Sequence, residues 1–136
     1  MKLRFISPTN HGLVDYAAAV ALIVSPFLLK LGSSSPAAMW VSLITGFAVI
    51  LVSGLTDYRY GLLRLLPFSV HLAIDLTVAT AFIAIPFVFG FKGLDAAYYW
   101  INAAVVYLAV AFTAEEPVMV TEGSRLKTGE FYDLSK

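Results

Sequence analysis

Four long apolar stretches, separated by short polar segments, dominate the chain. Each matches the ~20 residues that a helix needs to cross ~30 Å of hydrocarbon, and they run over residues 12–30, 37–56, 67–91 and 95–114. The runs are continuous, whereas strands of a membrane barrel alternate apolar and polar positions over ~10 residues. Because backbone groups in lipid must be hydrogen-bonded within the segment, the pattern predicts an all-α membrane protein with four transmembrane helices.

A polar pattern at the head of the first stretch recurs at the head of the third. His11 and Asp15 form a His-x-x-x-Asp motif, and His71 and Asp75 form the same motif sixty residues later. Such self-similarity indicates a duplicated two-helix unit. We therefore expect two tandem helical hairpins, repeat 1 at about 5–57 and repeat 2 at about 64–116. Further residues follow in the same register: Pro26-Phe27 with Trp40, and Pro86-Phe87 with Trp100.

Each half contains an even number of spans, so both halves enter the membrane in the same direction. Such parallel-related halves share a pseudo-twofold axis along the membrane normal. The side with both termini and the central connection holds seven of the nine Lys and Arg residues, and the hairpin tips hold only Lys30 and Lys92. Positive residues stay cytoplasmic. We therefore place both termini in the cytoplasm, with a transmembrane domain at 1–116 and a polar cytoplasmic tail at 117–136.

Composition agrees with a membrane protein and excludes several classes of function. The chain is 60% hydrophobic and 13% charged, while soluble domains are about 25% charged. Its formal net charge is zero, and the lack of a basic patch argues against a nucleic-acid partner. The absence of cysteine excludes disulfides and thiolate chemistry. The expected partner is the lipid bilayer, with a homo-oligomer or another membrane protein as the protein partner to consider.

Aromatic residues gather near the predicted start of the second helix in each half. They are Trp40, Tyr98, Tyr99 and Trp100. Trp and Tyr are enriched where membrane helices meet the headgroups. We therefore predict that these four side chains form an aromatic belt at the membrane face opposite the termini.

Several segments of the chain form recognisable motifs: His11–Tyr16, Ser25–Phe27, Thr56–Tyr58 with Gly61, Arg64–Pro67, His71–Asp75 and Ile85–Phe91. On these segments the chain resembles the bacterial SPW-repeat membrane proteins over about residues 5–115. Members of that family carry a Ser-Pro-Trp signature in each hairpin. Here phenylalanine replaces the tryptophan in both halves, at Phe27 and Phe87, and Ile85 replaces the serine in the second half. The resemblance implies a four-helix membrane fold in the bacterial inner membrane, and it implies no activity.

The predicted topology gathers ionisable residues in one layer at the cytoplasmic ends of the helices. We expect this polar layer to be mainly structural, because polar contacts between membrane helices hold the helices together. The two aspartates of the repeated motif would then bond to the histidines of their own helices or to the arginines of the central connection. The protein would be a non-enzymatic membrane module. The layer comprises His11, Asp15, Asp57, Arg59, Arg64, His71, Asp75, Glu115 and Glu116.

A site for a metal ion or a small ligand is the alternative. Two imidazole nitrogens and two carboxylates suit Zn²⁺, Mn²⁺, Ni²⁺ or Fe²⁺, with His11, Asp15, His71 and Asp75 as ligands and the other acidic residues and Arg64 around them. Haem b between the two histidines is less favoured, because interfacial histidines are too shallow for it. Ion or proton transport would need polar groups at the midplane, and a lipid-modifying enzyme lacks a nucleophile motif here. The sequence assigns no cofactor.

Overall fold

The computed structural model describes residues 3–114. It contains four helices: α1 (Pro8–Leu28), α2 (Ala37–Leu55), α3 (Phe68–Phe89) and α4 (Gly93–Phe112). All four are long and apolar enough to cross a membrane. The packing is extensive between α1 and α2 and between α3 and α4, so the first hairpin is α1–α2 and the second is α3–α4. The predicted membrane fold of four helices in two tandem hairpins is confirmed.

The first helix begins earlier than the apolar stretch predicts. Its first turn, Pro8–His11, is polar, so hydropathy alone starts the span too late. Ser7 caps the helix, because its hydroxyl accepts a hydrogen bond from the N–H of Asn10 at 3.2 Å. Pro8 fits the first turn, where a missing N–H costs nothing. The helix therefore includes His11, whose ring turns into the bundle.

The buried positions of α1 and α3 recur every sixty residues, as the sequence predicts. Pro26 and Pro86 lie inside their helices and are fully buried. Each helix ends two or three residues beyond its proline, consistent with the loss of one backbone hydrogen bond there. The equivalent buried pairs are His11/His71, Ala19/Ala79, Leu22/Phe82 and Pro26/Pro86.

The second helices follow a different register, in which equivalent buried positions are fifty-seven residues apart. The turn of the second hairpin is three residues shorter, since Pro26 and Ala38 are twelve residues apart while Pro86 and Asp95 are nine apart. Three residues is close to one helical turn, so the same face still points inward. The sixty-residue spacing of the tryptophans therefore does not mark equivalent positions. The buried positions of the second helix in each hairpin that are equivalent, fifty-seven residues apart, are Ala38/Asp95, Ser42/Tyr99, Gly46/Ala103 and Thr56/Thr113.

Asp95 ties the start of α4 to the turn of the first hairpin. The side chain is completely buried. Its carboxylate accepts hydrogen bonds from the N–H of Gly32 at 2.9 Å, the N–H of Ser34 at 2.8 Å and the Ser34 hydroxyl at 2.6 Å. The first turn of a helix also favours a negative charge. Asp95 therefore holds the two hairpins together at this end of the bundle.

The tyrosines of α4 belong to the core and not to an aromatic belt. Tyr98 and Tyr99 are 7% and 0% exposed. The Tyr98 hydroxyl lies 2.9 Å from the Ser25 hydroxyl of α1 and 2.7 Å from the Ser42 hydroxyl of α2. Both tryptophans remain exposed, so the predicted belt is corrected to them alone. Hydropathy near a helix end cannot tell an interfacial tyrosine from one that bonds across the bundle.

At the end of the bundle where α1 and α3 begin, the segment that precedes each hairpin lies beside the segment that follows the other hairpin. Ile6, before α1, accepts a hydrogen bond through its carbonyl from the N–H of Ala114 at 2.8 Å. Leu66, before α3, likewise accepts one from the N–H of Asp57 at 2.8 Å. The C-terminal end of α2 therefore lies against α3, and the C-terminal end of α4 lies against α1.

Candidate metal centre

Two helices bring the repeated His-x-x-x-Asp motifs together in the bundle. His11 and Asp15 come from α1, and His71 and Asp75 come from α3; we call these four residues the His–Asp cluster. One ligand atom from each residue lies within 4.8 Å of all the others. Both histidines are 1% exposed and Asp15 is 8% exposed. The cluster is therefore a single constellation of three buried residues and the partly buried Asp75, assembled from both hairpins.

Each histidine of the cluster lies close to both aspartates. The Nε2 atom of His11 is 3.4 Å from Asp15 Oδ1 on its own helix and 3.1 Å from Asp75 Oδ2 on α3. The Nε2 atom of His71 is 3.2 Å from Asp75 Oδ2 and 3.1 Å from Asp15 Oδ2. The contacts within each helix match the expected spacing of four residues. The contacts between helices connect the hairpins.

Two threonines determine which nitrogen of each histidine carries a proton. Thr56 is the C-cap residue that follows α2, and its hydroxyl lies 2.7 Å from His71 Nδ1. Thr113 is the C-cap residue that follows α4, and its hydroxyl lies 2.7 Å from His11 Nδ1. Each hydroxyl already donates its one hydrogen to a carbonyl of its own helix, at 2.7 and 2.6 Å. The hydroxyls can therefore only accept from the rings. Both Nδ1 atoms are N–H donors.

The Nε2 atoms consequently carry either a lone pair or an additional proton. His11 Nε2 and Asp75 Oδ2 have hydrogen-bond geometry. His71 Nε2 is buried and has no hydrogen-bond partner among the described residues, although two carboxylate oxygens lie within 3.2 Å of it. Neither of these two contacts has hydrogen-bond geometry.

Tyr58 and Phe68 close the cluster on the side where α1 begins. The Tyr58 ring lies 5.8 Å from the His71 ring, and the Phe68 ring lies 5.6 Å from the His11 ring. The Tyr58 hydroxyl donates to Asp15 Oδ2 at 3.3 Å. Burial raises the pKa of Tyr58 above its usual value, so the hydroxyl keeps its proton.

Gly12 makes room for the Tyr58 ring. A Cβ atom at Gly12 would overlap that ring, so any larger residue would displace the ring from its place over the cluster. The glycine of the first motif therefore has a packing role, which the sequence pattern alone did not indicate.

A cavity of about 100 Å³ adjoins the His–Asp cluster on its other side. All four helices line it, and most of the lining side chains are aliphatic. Packing between the hairpins is sparse compared with packing within them, which leaves this space between them. The lining starts at the four residues of the cluster and extends to Leu22 and Phe82 of the core.

The other residues predicted for the polar layer lie elsewhere. Asp57, Arg59 and Arg64 are exposed and do not line the cavity. Glu115 and Glu116 lie outside the described residues, as does the tail at 117–136. The arginine partners considered for the aspartates are thus replaced by the histidines of both helices, because the connection between the hairpins turns its arginines outward.

Sequence reasoning missed Thr56 and Thr113 as partners of the histidines. The two threonines are fifty-seven residues apart, whereas the His-x-x-x-Asp motifs that they contact are sixty residues apart. A comparison of the two halves at a spacing of sixty residues therefore does not align the threonines. A search of the sequence for a second repeat spacing would have found them.

Comparison with models of known protein families gives a match over most of the chain. A family model described as SPW repeat domain matches residues 9–115, a range that includes the entire His–Asp cluster and both threonines. No curated protein and no solved structure matches the chain.

Proposed function

This chain belongs to the SPW repeat family, and we propose that this multi-pass membrane protein binds one divalent transition-metal ion between its hairpins. The ligands are the four residues of the His–Asp cluster. The observation that carries the proposal is the convergence of two imidazole nitrogens and two carboxylates within 4.8 Å. An ion placed among them lies at the centre of the pseudo-twofold arrangement.

The spacing of the ligand atoms fits a coordination polyhedron. Ligands ~2.1 Å from a tetrahedral ion lie ~3.4 Å apart, and neighbouring ligands of an octahedral ion lie ~3.0 Å apart. The four nitrogen–oxygen contacts in the cluster run from 3.1 to 3.4 Å, with Asp75 contributing one oxygen and Asp15 contributing both. With one atom taken from each residue, no two ligand atoms are more than 4.8 Å apart, which is close to the ~4.2 Å between opposite octahedral ligands. Small side-chain adjustments suffice for binding.

The charge of the cluster also favours a cation. Two carboxylates buried in a low-dielectric region need positive charge nearby. Within residues 3–114, all ion pairs are those between the cluster's own histidines and aspartates. The positive charge must therefore come from protons on the imidazoles or from a bound cation. A divalent ion would balance both carboxylates while the imidazoles stay neutral.

The threonines prepare the histidines for metal binding. A neutral imidazole with its proton on Nδ1 presents the Nε2 lone pair, which is the form that coordinates metals. Hydrogen bonds from the second ring nitrogen are the usual device that orients a metal-bound histidine. Thr56 and Thr113 supply such bonds, one to each ring. The buried Nε2 atom of His71, which has no hydrogen-bond partner within residues 3–114, is then explained as a metal ligand.

The donor set limits the choice of ion. Two nitrogens and two carboxylates suit Zn²⁺, Mn²⁺, Fe²⁺, Co²⁺ or Ni²⁺. Ca²⁺ and Mg²⁺ prefer oxygen ligands alone, and Cu⁺ prefers sulfur. We therefore expect the His–Asp cluster to bind a divalent ion of the first transition row.

A proton-held clamp is the second candidate, and the hydrogen-bond geometry between His11 Nε2 and Asp75 Oδ2 supports it. If both imidazoles carried a second proton, they would pair with both carboxylates and fasten the hairpins. The cluster would then be mainly structural.

Metal analysis of the full chain in detergent tests the proposal. After removal of metal and re-equilibration with a mixture of first-row divalent ions, we expect about one ion per wild-type chain. His71→Ala should retain less than a tenth of that amount, because it loses a ligand. Asp57→Asn, which changes an exposed aspartate outside the cluster, should behave as wild type. Wild-type protein that contains no metal after this re-equilibration would exclude the site.

For the orientation, we propose that both termini lie in the cytoplasm of a bacterium and that the hairpin turns face outward. The distribution of lysine and arginine supports this arrangement. The chain has no cysteine, so labelling of a single introduced cysteine reports on which side of the membrane that residue lies. An impermeant maleimide added to intact spheroplasts should label Ser33→Cys, in the first turn, and should leave Leu63→Cys, in the central connection, unlabelled. The reverse pattern would invert the topology.

A further inference from the structure

We propose that the bound ion keeps a coordination position open toward the cavity, where it binds a small uncharged molecule, such as a dissolved gas, that arrives through the bilayer. This inference rests on the proposed metal site and names the ligand class of that site. The cavity adjoins all four ligands of the cluster, which gives it direct access to an ion held there.

Access from the membrane interface is closed. Tyr58 and Phe68 cover the cluster on that side, with rings 5.6 to 6.0 Å from the histidine rings. Both histidines are 1% exposed. A molecule dissolved in water therefore has no direct path to the Nε2 atoms from this side, and the open space around the cluster lies on its other side, in the cavity.

The cavity extends toward the middle of the membrane. Its lining on α1 runs from His11 to Leu22, and eleven residues of helix correspond to ~16 Å. This depth is about half of the ~30 Å hydrocarbon core. Packing between the hairpins is sparse, and two residues that line the cavity, Val14 and Val105, are also exposed on the outside of the bundle.

The walls of the cavity select uncharged molecules. Apart from the cluster, its polar lining residues are Thr45 and Asn102, and both donate to carbonyls of their own helices. Moving an ion or a strongly polar molecule through such surroundings would be costly. Apolar cavities remain dry and accept small apolar ligands; one of ~150 Å³ holds benzene. A volume of about 100 Å³ suits a molecule of two to a few heavy atoms.

The ligand count leaves space on the ion. The cluster supplies one ligand atom from each of four residues, whereas Fe²⁺, Mn²⁺ and Co²⁺ commonly take six ligands, and sites with two histidines and a carboxylate leave positions free for exogenous ligands. Because aromatic rings fill the interface side, the free positions face the cavity.

Nitric oxide binding to the Fe²⁺-loaded full chain tests this inference, with the iron–nitrosyl signal followed by electron paramagnetic resonance. Wild-type protein and Ala17→Leu should bind nitric oxide equally, because Ala17 is exposed on α1 and does not line the cavity. Ala18→Leu and Ala109→Leu add the same volume from two different cavity walls. Both should weaken binding per bound iron by about tenfold or more, since overpacking costs ~1–3 kcal/mol.

Two results would overturn the inference while leaving the metal site intact: full iron occupancy without a nitrosyl signal, or equal nitric oxide affinity in all four proteins. A wild-type chain that binds no iron would instead overturn the metal site and this inference together. Iron content measured in each variant separates these outcomes. Ala109→Leu changes a helix that supplies no ligand, so it stays informative if Ala18→Leu disturbs α1.

Discussion

Saturating divalent metal is expected to raise the melting temperature of the wild-type protein in detergent by several degrees and to leave that of Asp75→Asn unchanged. An ion that binds only the folded state stabilises it by ~2.7 kcal/mol when its concentration is a hundred times the dissociation constant. Asp75 Oδ2 lies within 3.2 Å of both histidine Nε2 atoms, so its loss removes the most connected oxygen of the site. Thermal unfolding with added metal or with chelator measures the effect.

The same experiment distinguishes a metal site from a proton-held clamp. A clamp fastened by imidazolium protons would give one melting temperature with metal and with chelator, and Asp75→Asn would melt lower in both conditions. Asp57→Asn is the matched control, because it makes the same chemical change at an exposed position. A wild-type melting temperature that does not respond to any first-row divalent ion contradicts the metal site.

Replacing Asp95 by alanine is expected to lower the free energy of unfolding by about 3 kcal/mol or more, because each hydrogen bond to a charged group contributes ~1.5–3 kcal/mol. The carboxylate accepts three hydrogen bonds from the turn of the first hairpin. Without it, the N–H groups of Gly32 and Ser34 lose this carboxylate, which has no exposed surface, as their partner. Reversible unfolding in mixed detergent micelles measures the loss.

Asp57→Ala serves as the control for Asp95→Ala and should change the free energy of unfolding by less than ~0.5 kcal/mol, as expected for a surface position. Metal content should also remain near that of wild type in Asp95→Ala, since Asp95 lies at the opposite end of the bundle from the His–Asp cluster. A loss below ~1 kcal/mol would mean that Asp95 does not hold the hairpins together.

The signature positions of the family now have structural explanations. Ser25, the serine of the first signature, contacts the Tyr98 hydroxyl across the hairpins at 2.9 Å. In the second half, Ile85 packs against the hydrophobic core instead. Phe27 and Phe87, which replace the signature tryptophan, are 57% and 73% exposed. An aromatic side chain of either size fits a surface that faces lipid.

The sequence predicts which residues of the His–Asp cluster share a helix face, because that feature depends on a single helix. His11 and Asp15 are four residues apart, and a helix places such residues on one face. The same holds for His71 and Asp75. The expectation that each aspartate contacts its own histidine agrees with distances of 3.4 and 3.2 Å. What the motif could not indicate was that each aspartate also contacts the histidine of the other hairpin.

The register of the second helices illustrates the limit of sequence comparison. Trp40 and Trp100 suggested one repeat of sixty residues throughout, yet the buried face of α4 follows that of α2 at fifty-seven. A shorter turn moves α4 by almost one helical turn without changing its inward face. Because the second turn is three residues shorter, Thr113 lies at the same depth as Thr56. Thr113 therefore contacts His11 in the way that Thr56 contacts His71.

The sequence by itself determined the four membrane helices, their pairing in hairpins and the duplicated His-x-x-x-Asp motif, because hydropathy and helical periodicity are local properties of the chain. Only the tertiary structure decided the rest: the convergence of four ligand atoms, the role of the two threonines, the bond between Asp95 and the first turn, and the cavity. These features depend on the depth and rotation of one hairpin against the other. Loops and side-chain packing set that geometry, and no single stretch of sequence encodes it.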